Sequence, residues 1–508
     1  MADTYDAVEF GRLQRRLHDM WPALGLRSEE RRVLVVVSSI SFDVPGHVYP
    51  VIPAYEERYL FLVLLAARAP ASQVIYVTSQ PIAERVFDYY LRLIPGIDVA
   101  EFRRRITLVA VSDWSPRPLV HKILERPRLL ERLRKLIGDP QRAVLIPFMA
   151  TPGEARLAVS LGIPMYAPDP ALRRLGTKSG GREVFAAAGV PLPRGVAGIR
   201  GRGDLVAALV DLQRSRPMDA VIVKTEALGS GLGNASVRLA GATDPAEIAR
   251  CVDGLEPEDR QHTAESYLDL LAGGGVVEER LVGSDLRSPS VQLRASPAAE
   301  VEILSTHDQM LGGHSGQTFI GCTFPADAAY RGLISSYAEA IGRELAGRGV
   351  IGRFGIDFVV RKIDPGWDAH AIEVNLRNGG TTHPALTLLA MTAGRYDPAN
   401  GDFLAGGVAK HYIASDHLEH PAYRSLTPDD ALDVLAAPAL AWDPERLVGP
   451  VFHMTSAVAV AGSLGVTAIG DSPAEAREVY AATQSALDEA AEIPPEQRYP
   501  HPWRPRAA

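Results

Sequence analysis

The sequence has little of several features that mark specialised classes of protein. It contains only 2 cysteines among 508 residues, Cys251 and Cys322. Two cysteines so far apart make neither a disulfide framework nor a cysteine-based zinc site. The longest apolar run, which begins at Tyr59, is too short to span a bilayer, and the polar first residues lack the apolar core of a signal peptide. We therefore expect a cytoplasmic protein with no membrane partner.

The charge balance excludes nucleic acid as the expected main partner. The 53 Lys and Arg residues are outnumbered by 61 Asp and Glu residues, which gives a formal net charge of -8. The acidic excess is spread along the chain, and no domain is basic. Glycine and proline, 45 and 38 residues, are too few for a low-complexity chain. At about 100–200 residues per domain, the length favours two to four domains.

The first 165 residues are typical of a parallel α/β sheet. Short apolar runs separated by helical periodicity predict four buried strands, at 32–37, 72–78, 105–111 and 142–147. Continuous apolar strands that alternate with helices favour a sheet covered on both faces. The G-x-G-x-x-G turn of dinucleotide-binding proteins is missing after the first strand. This domain is therefore predicted to be Rossmann-like in shape, without a dinucleotide site.

A different pattern follows from 166 to 395. The predicted strands of this region are at 219–225, 235–239, 275–282, 289–296, 299–305, 354–362 and 370–376. They can pair as hairpins, with helices segregated between them, which favours an α+β arrangement. The stretch 396–448 is rich in loop-forming Pro and Gly and is predicted to be a connector. The last part, 449–508, is predicted to be a small α+β domain with a hairpin over 455–470 and a helix that begins after Ser472.

The segment 352–384 carries the densest set of candidate functional residues. Glu373 and Asn375 are two positions apart on one predicted strand, so they project from the same face. Asp357 joins them if the preceding strand pairs with this one. Two carboxylates and an amide oxygen suit Mg²⁺, which prefers hard oxygen ligands. Arg377 continues the same face, and a solvated polar strand face is the alternative interpretation.

A second motif begins at Lys224, which ends a buried predicted strand. The glycine-rich turn after it includes Ser230 and Gly231. Glycines let backbone amides approach a phosphate, and a lysine supplies a point charge for it. A plain glycine hairpin with no ligand is an equally good interpretation of this motif alone.

The third motif is a pair of adjacent glutamates, Glu278 and Glu279, followed by Asp285. A glutamate that accepts a hydrogen bond from the amine of a base, together with an aspartate on ribose hydroxyls, would bind a nucleoside. Surface charges explain the same residues, and the sequence does not decide which of the two glutamates faces a ligand.

Taken in order, these motifs resemble those of ATP-grasp ligases. Lys178 precedes Lys224 and its glycine-rich turn, and the glutamate motif and the 357–377 motif follow in the family's order. The flanking segments resemble those of the peptide ligases of the pheganomycin type. The resemblance implies a pre-ATP-grasp domain over 1–165, an ATP-grasp domain over 166–395, the connector over 396–448 and a C-terminal domain over 449–508.

The resemblance also implies a role for each matching residue. ATP would be bound by Lys178, Lys224, Ser230, Gly231, Glu278, Leu281 and Asp285. Mg²⁺ would be held by Asp357, Glu373 and Asn375, and Arg377 would stabilise the transferred phosphoryl group and the tetrahedral intermediate. His307, Gln309 and His383 are interpreted as substrate-side residues. Histidines satisfied inside the fold are the alternative, and zinc is disfavoured because the spacings of His307, Asp308, His314 and His383 fit no standard ligand set.

The activity implied is ATP-dependent amide formation between an acid and the amine of an amino acid or peptide. The acid would become an acylphosphate with release of ADP, and the amine would then displace phosphate. The alternatives are an ATP-grasp enzyme that makes a non-peptide amide or stops at the acylphosphate, and a nucleotide-binding scaffold without activity. A homodimer is as compatible with the sequence as a monomer.

Overall fold

The computed structural model describes residues 4–24, 28–41, 46–94, 96–226, 231, 233–239, 241–312, 316, 318–494 and 497.

The N-terminal sheet has the four parallel strands that the sequence predicts. Four parallel strands form this sheet, in the spatial order Ile106–Ala110, Ser72–Thr78, Arg32–Val37 and Ala143–Pro147. Its helices are Ala7–Met20, Ile52–Glu57, Phe61–Ala67, Glu84–Arg92, Val99–Arg104, Leu119–Leu124, Pro127–Ile137 and Pro152–Leu161. Apolar side chains are buried on both faces of the sheet, as expected for parallel strands.

A small antiparallel sheet follows, with helices on one face. Its five strands, in spatial order, are Gly195–Ala197, Gly275–Glu279, Ala220–Thr225, Asn234–Arg238 and Glu256–Pro257. Val221 and Val223 pack toward the helices, which are Arg202–Ser215, Pro245–Asp253 and Ala264–Leu270. Side chains alternate along a strand, so Ile222 and Lys224 project from the opposite face.

The largest sheet has nine strands and extends from the 352–384 segment to the C-terminal region. Eight of the strands have the spatial order Leu286–Arg287, Gly352–Lys362, Pro289–Ala295, Val301–Gly312, Thr318–Phe324, His411–Glu419, Ser463–Gly470 and Gly449–His453. The ninth strand, Trp367–Asn375, pairs with the other edge of Gly352–Lys362. Helices Lys178–Ala187 and Ala328–Gly347 bury an apolar face against its strands Pro289–Ala295, Gly352–Lys362 and Trp367–Asn375. The other helices of this half are Thr382–Thr392, Pro428–Leu435, Val458–Ala461 and Pro473–Ala490.

The structure differs from the loop-rich interpretation of 396–448. Three short strands, Arg395–Tyr396, Phe403–Ala405 and Val408–Ala409, form a sheet of their own, and His411–Glu419 is an interior strand of the nine-stranded sheet. This strand is hard to recognise because its buried positions include Ser415 and Asp416 as well as apolar residues. The domain boundaries in this region remain a prediction.

The hairpin predicted over 455–470 is wrong in its first half. Val458–Ala461 is a short helix, and Gly462 ends it in the left-handed conformation at φ 72°. Only Ser463–Gly470 is a strand, and its hairpin partner is Gly449–His453. The helix predicted after Ser472 is confirmed as Pro473–Ala490. The Ser472 side chain caps it by accepting a hydrogen bond from the backbone N–H of Glu475. Among the described residues, no helix is long and apolar enough to cross a membrane.

Candidate active site

A cleft of about 390 Å³ lies between the five-stranded and nine-stranded sheets. Most of the residues singled out in the sequence line it together: Lys178, Lys224, Gly231, Glu278, Leu281, Gln309, Asp357, Glu373, Asn375 and Arg377. Ser230 lies outside the described residues. Gly231 is described and adopts a positive φ of 82°, which suits glycine at a tight turn beside a ligand.

The paired strands at the sheet edge bring the predicted metal ligands together. Asp357 lies directly opposite Glu373, and Asn375 lies opposite Gly355. The Asn375 side chain donates from Nδ2 to Asp357 Oδ2 at 3.0 Å, and Gln309 donates from Nε2 to Asp357 Oδ1 at 2.9 Å. A shift in register after Asp357 marks a bulge beside this cluster, a feature common next to active sites.

The two carboxylates of this cluster have opposite pKa shifts. Burial raises the pKa of Asp357 to about 6, and the neighbouring negative charge of Glu373 adds to this effect. Burial also acts to raise the pKa of Glu373, but the ammonium of Lys178 forms an ion pair with it and holds that pKa below its usual value. Two partly buried carboxylates with one neighbouring ammonium are suited to a divalent cation, which would compensate the second charge.

Glu278 is held between two cations at the other side of the cleft. Its Oε1 accepts from Arg182 at 2.6 Å, and its Oε2 lies 2.5 Å from Lys224 Nζ. The Glu278 side chain is only 4% exposed. Burial acts to raise its pKa, and the two cations outweigh burial and lower it. Glu279 instead faces Arg216, at 2.7 Å, and Arg194.

This arrangement predicts different effects for two adjacent substitutions. Glu278→Gln leaves Arg182 and Lys224 without their buried counter-charge, and breaking such a pair costs about 3–5 kcal/mol. We expect a lower melting temperature and weaker ATP binding. The control is Glu279→Gln, whose more exposed pair contributes at most about 1 kcal/mol. Thermal denaturation and nucleotide titration check both variants, and equal effects would contradict the assignment of Glu278 to the cleft.

The sequence analysis missed two residues that position the lysines. Arg182 lies one turn after Lys178 on the same helix, so both side chains lie on one face, and this spacing was an available signal. Glu226 accepts from the backbone N–H groups of Lys178, at 2.5 Å, and Ser179, at 2.9 Å. It thereby ties the start of the helix to the end of strand Ala220–Thr225. Glu226 is far from Lys178 along the chain, so the sequence alone does not indicate this contact.

Arg377 connects the cleft to the N-terminal domain. It forms an isolated backbone bridge with Met149, and its guanidinium lies 5.9 Å from the centre of the Phe148 ring. Its Nη1 donates to the backbone oxygen of Asn378 at 3.1 Å. Arg377 lines the cleft on one side and a second cavity on the other.

The second cavity has a volume of about 470 Å³ and lies against the N-terminal domain. Its far wall includes Ser41, Thr151 and Arg173. The wall that it shares with the first cleft consists of Lys178, Glu373, Asn375 and Arg377. The candidate catalytic residues therefore lie between two cavities.

Two predicted substrate-side residues lie elsewhere. His307 is fully buried, contacts Tyr412 Oη through Nε2 at 2.6 Å, and has its pKa lowered by burial to about 3. His383 is buried beside His453. Neither histidine lines the cleft, and their substrate-side role remains a prediction. Asp285 pairs with Arg287 at 2.6 Å outside the cleft lining, and its ribose role remains a prediction.

Comparison with known proteins agrees with the fold described above. The family profile described as "IQCH-like, ATP-grasp" matches residues 256–398. The structure superposes on a biotin carboxylase–ATP-analogue complex from Campylobacter jejuni with a TM-score of 0.52 and 13% identity, over 92% of this chain and 96% of that one. N5-carboxyaminoimidazole ribonucleotide synthetase gives 0.50 and 10% identity, over 91% and 98%. The chain has an ATP-grasp domain.

Two curated relatives are similar to this chain over more than half of its length. L-propargylglycine–L-glutamate ligase from Streptantibioticus cattleyicolor is 28% identical over 428 residues, which cover 83% of this chain and 86% of the ligase. IQ motif-containing protein H from Danio rerio is 26% identical over 381 residues, which cover 63% of this chain and 35% of that protein. The profile described as "PGM1 C-terminal domain" matches residues 430–483 beyond the ATP-grasp domain. The resemblance derived from the motifs is confirmed.

Proposed function

We propose that this chain is an ATP-dependent carboxylate–amine ligase that forms an amide and releases ADP and phosphate. The observation that carries the proposal is the wall of Lys178, Glu373, Asn375 and Arg377 between two cavities. One cavity would hold the nucleotide and the other the acid and amine, so that the reacting groups meet at this wall. The relative named as an amino-acid ligase, which aligns with 83% of the chain, supports the same reaction class.

ATP and Mg²⁺ are the cofactors in this proposal. Asp357, Glu373 and Asn375 supply the oxygen ligands that Mg²⁺ prefers, and the amide oxygen of Asn375 is its ligand atom. When bound, Mg²⁺ would neutralise charge on the phosphate oxygens. The two carboxylates fit this role, because burial and the neighbouring charge of Glu373 raise the pKa of Asp357, and a bound cation would lower it.

The residues of the chain would act mainly by positioning and charge. Phosphoryl transfer requires little covalent participation from the protein. A carboxylate oxygen of the acid forms a bond to the γ-phosphorus, and the bond to the ADP oxygen breaks. The amine nitrogen then bonds to the acyl carbon, phosphate leaves with the bonding electrons, and the nitrogen loses a proton. Lys178 and Lys224 would bind phosphate oxygens, and Arg377 would stabilise charge that develops in both steps.

The second cavity favours a substrate with a carboxylate. Arg173 lines it and has no ion-pair partner among the residues that the structure describes. Arg174, the next residue, turns away and pairs with Glu183 at 2.5 Å. We expect Arg173→Gln to raise the KM for the acid or the amine about 10-fold, which corresponds to the loss of a hydrogen bond to a charged group. The KM for ATP should not change.

The control for this prediction is Arg174→Gln, which removes the same charge from the surface. Steady-state kinetics with each substrate varied in turn distinguish the two positions. An equal change in both variants, or a change in the KM for ATP, would contradict a substrate role for Arg173.

The proposed function is tested by ADP release with paired acids and amines. L-α-amino acids are the first pairs to screen, because the relative's name gives two of them. We expect ADP only when both substrates are present, with a stoichiometric amide product detected by mass spectrometry. ADP release with the acid alone, trapped by hydroxylamine as a hydroxamate, would favour an enzyme that stops at the acylphosphate. ATP binding without turnover of any pair would favour a scaffold.

A further inference from the structure

A second cluster of ionisable side chains lies outside both cavities, where three parts of the chain meet. His383 is in the first turn of helix Thr382–Thr392, Asp416 is on strand His411–Glu419, and His453 ends strand Gly449–His453. Their side chains are 3%, 6% and 5% exposed. The three residues are far apart in the sequence, so only the fold brings them together.

Three possible ligand atoms in this cluster face one another. The Nε2 atoms of His383 and His453 are 3.0 Å apart, and Asp416 Oδ1 lies 2.7 Å from His453 Nε2 and 3.4 Å from His383 Nε2. Metal ligands in a tetrahedral zinc site, with bonds of about 2.0–2.2 Å, are separated by about 3.3–3.6 Å. One side of the observed triangle, 3.4 Å, matches this separation, and the other two, 2.7 and 3.0 Å, are shorter, so the ligand atoms would move apart slightly on binding.

Hydrogen bonds alone do not satisfy this triangle. A proton on His453 Nε2 can point along one edge only, toward Asp416 or toward His383. A second proton on His383 Nε2 would place two N–H groups face to face at 3.0 Å. Within the described residues, His383 Nδ1 is buried without a hydrogen-bond partner, so Nε2 is the ring atom that fixes the orientation of this histidine.

The surroundings hold the three side chains in place. Gly465 lies opposite His453, and a Cβ at that position would come within 2.0 Å of His453 Nε2, so only glycine leaves room for this ring. Arg58 forms a buried ion pair with Oδ2 of Asp416, which directs Oδ1 toward both imidazoles. Metal-binding carboxylates are commonly oriented by such an outer hydrogen bond.

We propose that His383, Asp416 and His453 bind one divalent transition-metal ion, with Zn²⁺ as the favoured ion. Two imidazoles and one carboxylate are a ligand set typical of zinc and disfavour Mg²⁺, which prefers oxygen alone. The ion joins the ATP-grasp helix Thr382–Thr392 to the two C-terminal strands. The segment before that helix, Gly379–Thr381, lines the nucleotide cleft, so the ion anchors one wall of the cleft. Its role is structural.

The test is a Co²⁺ titration of the full chain after dialysis against chelator and then metal-free buffer, with Mg²⁺ in excess. Excess Mg²⁺ occupies the oxygen ligands Asp357 and Glu373 and does not compete for imidazole. We expect one Co²⁺ per chain, with visible absorption bands that disappear when Zn²⁺ is added. Zn²⁺ should also raise the melting temperature of the metal-free chain.

Two variants locate the ion. His453→Gln should remove the Co²⁺ bands, and His417→Gln, an exposed histidine next to Asp416 on the same strand, should keep them. A wild-type chain that takes up no Co²⁺ in excess Mg²⁺ overturns the proposal. So does a folded His453→Gln variant that still binds one equivalent. If His453→Gln does not fold, the wild-type stoichiometry and the thermal shift decide.

Discussion

Replacement of Glu373 by Gln is expected to reduce ATP turnover by a factor of at least about 10²–10³. Gln has nearly the same shape as Glu but carries no charge, so the proposed Mg²⁺ site loses one of its two carboxylates. The ion pair with Lys178 is lost at the same time, which displaces a lysine proposed to bind phosphate. The charge that helps to raise the pKa of Asp357 is also removed, so this pKa should fall toward its usual value.

Turnover is measured as ADP release at saturating ATP and equal Mg²⁺ for the variant and the natural chain. Glu302→Gln is the matched control, because Glu302 lies on another strand of the same sheet and pairs with Arg294 at the surface. A thermal melt shows whether each variant retains a cooperative fold. Normal turnover by the Glu373→Gln variant at the same Mg²⁺ concentration would end the metal assignment.

Replacement of Arg377 should lower kcat far more than it changes ATP affinity. A group that stabilises charge mainly in the transition state contributes to rate and little to ground-state binding. Removal of one such donor costs about 10²–10³ in rate. Arg377→Lys keeps the charge but loses the planar arrangement of donors, so we expect it to be strongly impaired as well. Arg377→Ala should be at least as slow.

Arg361→Lys is the control for this comparison. Arg361 lies on strand Gly352–Lys362 and pairs with Asp368 at 2.9 Å, in a partly exposed pair expected to contribute at most about 1 kcal/mol. The measurements are kcat and the Kd for ATP for all three variants. If kcat falls and the Kd for ATP rises to the same extent in the Arg377 variants, the residue binds nucleotide. If neither quantity changes, the catalytic role of Arg377 is contradicted.

The proximity of the three candidate metal ligands could be predicted from sequence because strand periodicity is local. Glu373 and Asn375 share a face by their spacing alone, and the nearby strand carrying Asp357 pairs with theirs as a hairpin. The buried triangle of His383, Asp416 and His453 could not be predicted in this way. Its three members come from separate elements, and only the packing of the nine-stranded sheet brings them together.

The choice between Glu278 and Glu279 shows a second limit of sequence reasoning. Both positions carry the same side chain, so composition says nothing about which one faces inward. Pairing fixes the answer: Glu278 lies opposite Ile222, whose side chain faces the cleft, and it meets Lys224 diagonally. A one-residue slip would exchange the two faces. Strand His411–Glu419 was not predicted, because its buried positions include polar residues. Asp416, for example, is buried through its ion pair with Arg58.

The connectivity of the largest sheet has a consequence for the order in which the chain can fold during synthesis. The N-terminal sheet is complete once residue 147 has left the ribosome, because all four of its strands precede that point. Strand His411–Glu419 lies between Thr318–Phe324 and Ser463–Gly470, so one edge of it stays unpaired until residues 463–470 emerge. An open strand edge is a site of wrong pairing between chains. Ribosome-bound chains that stop between 420 and 462 should therefore be prone to aggregate, although they already contain every candidate catalytic residue.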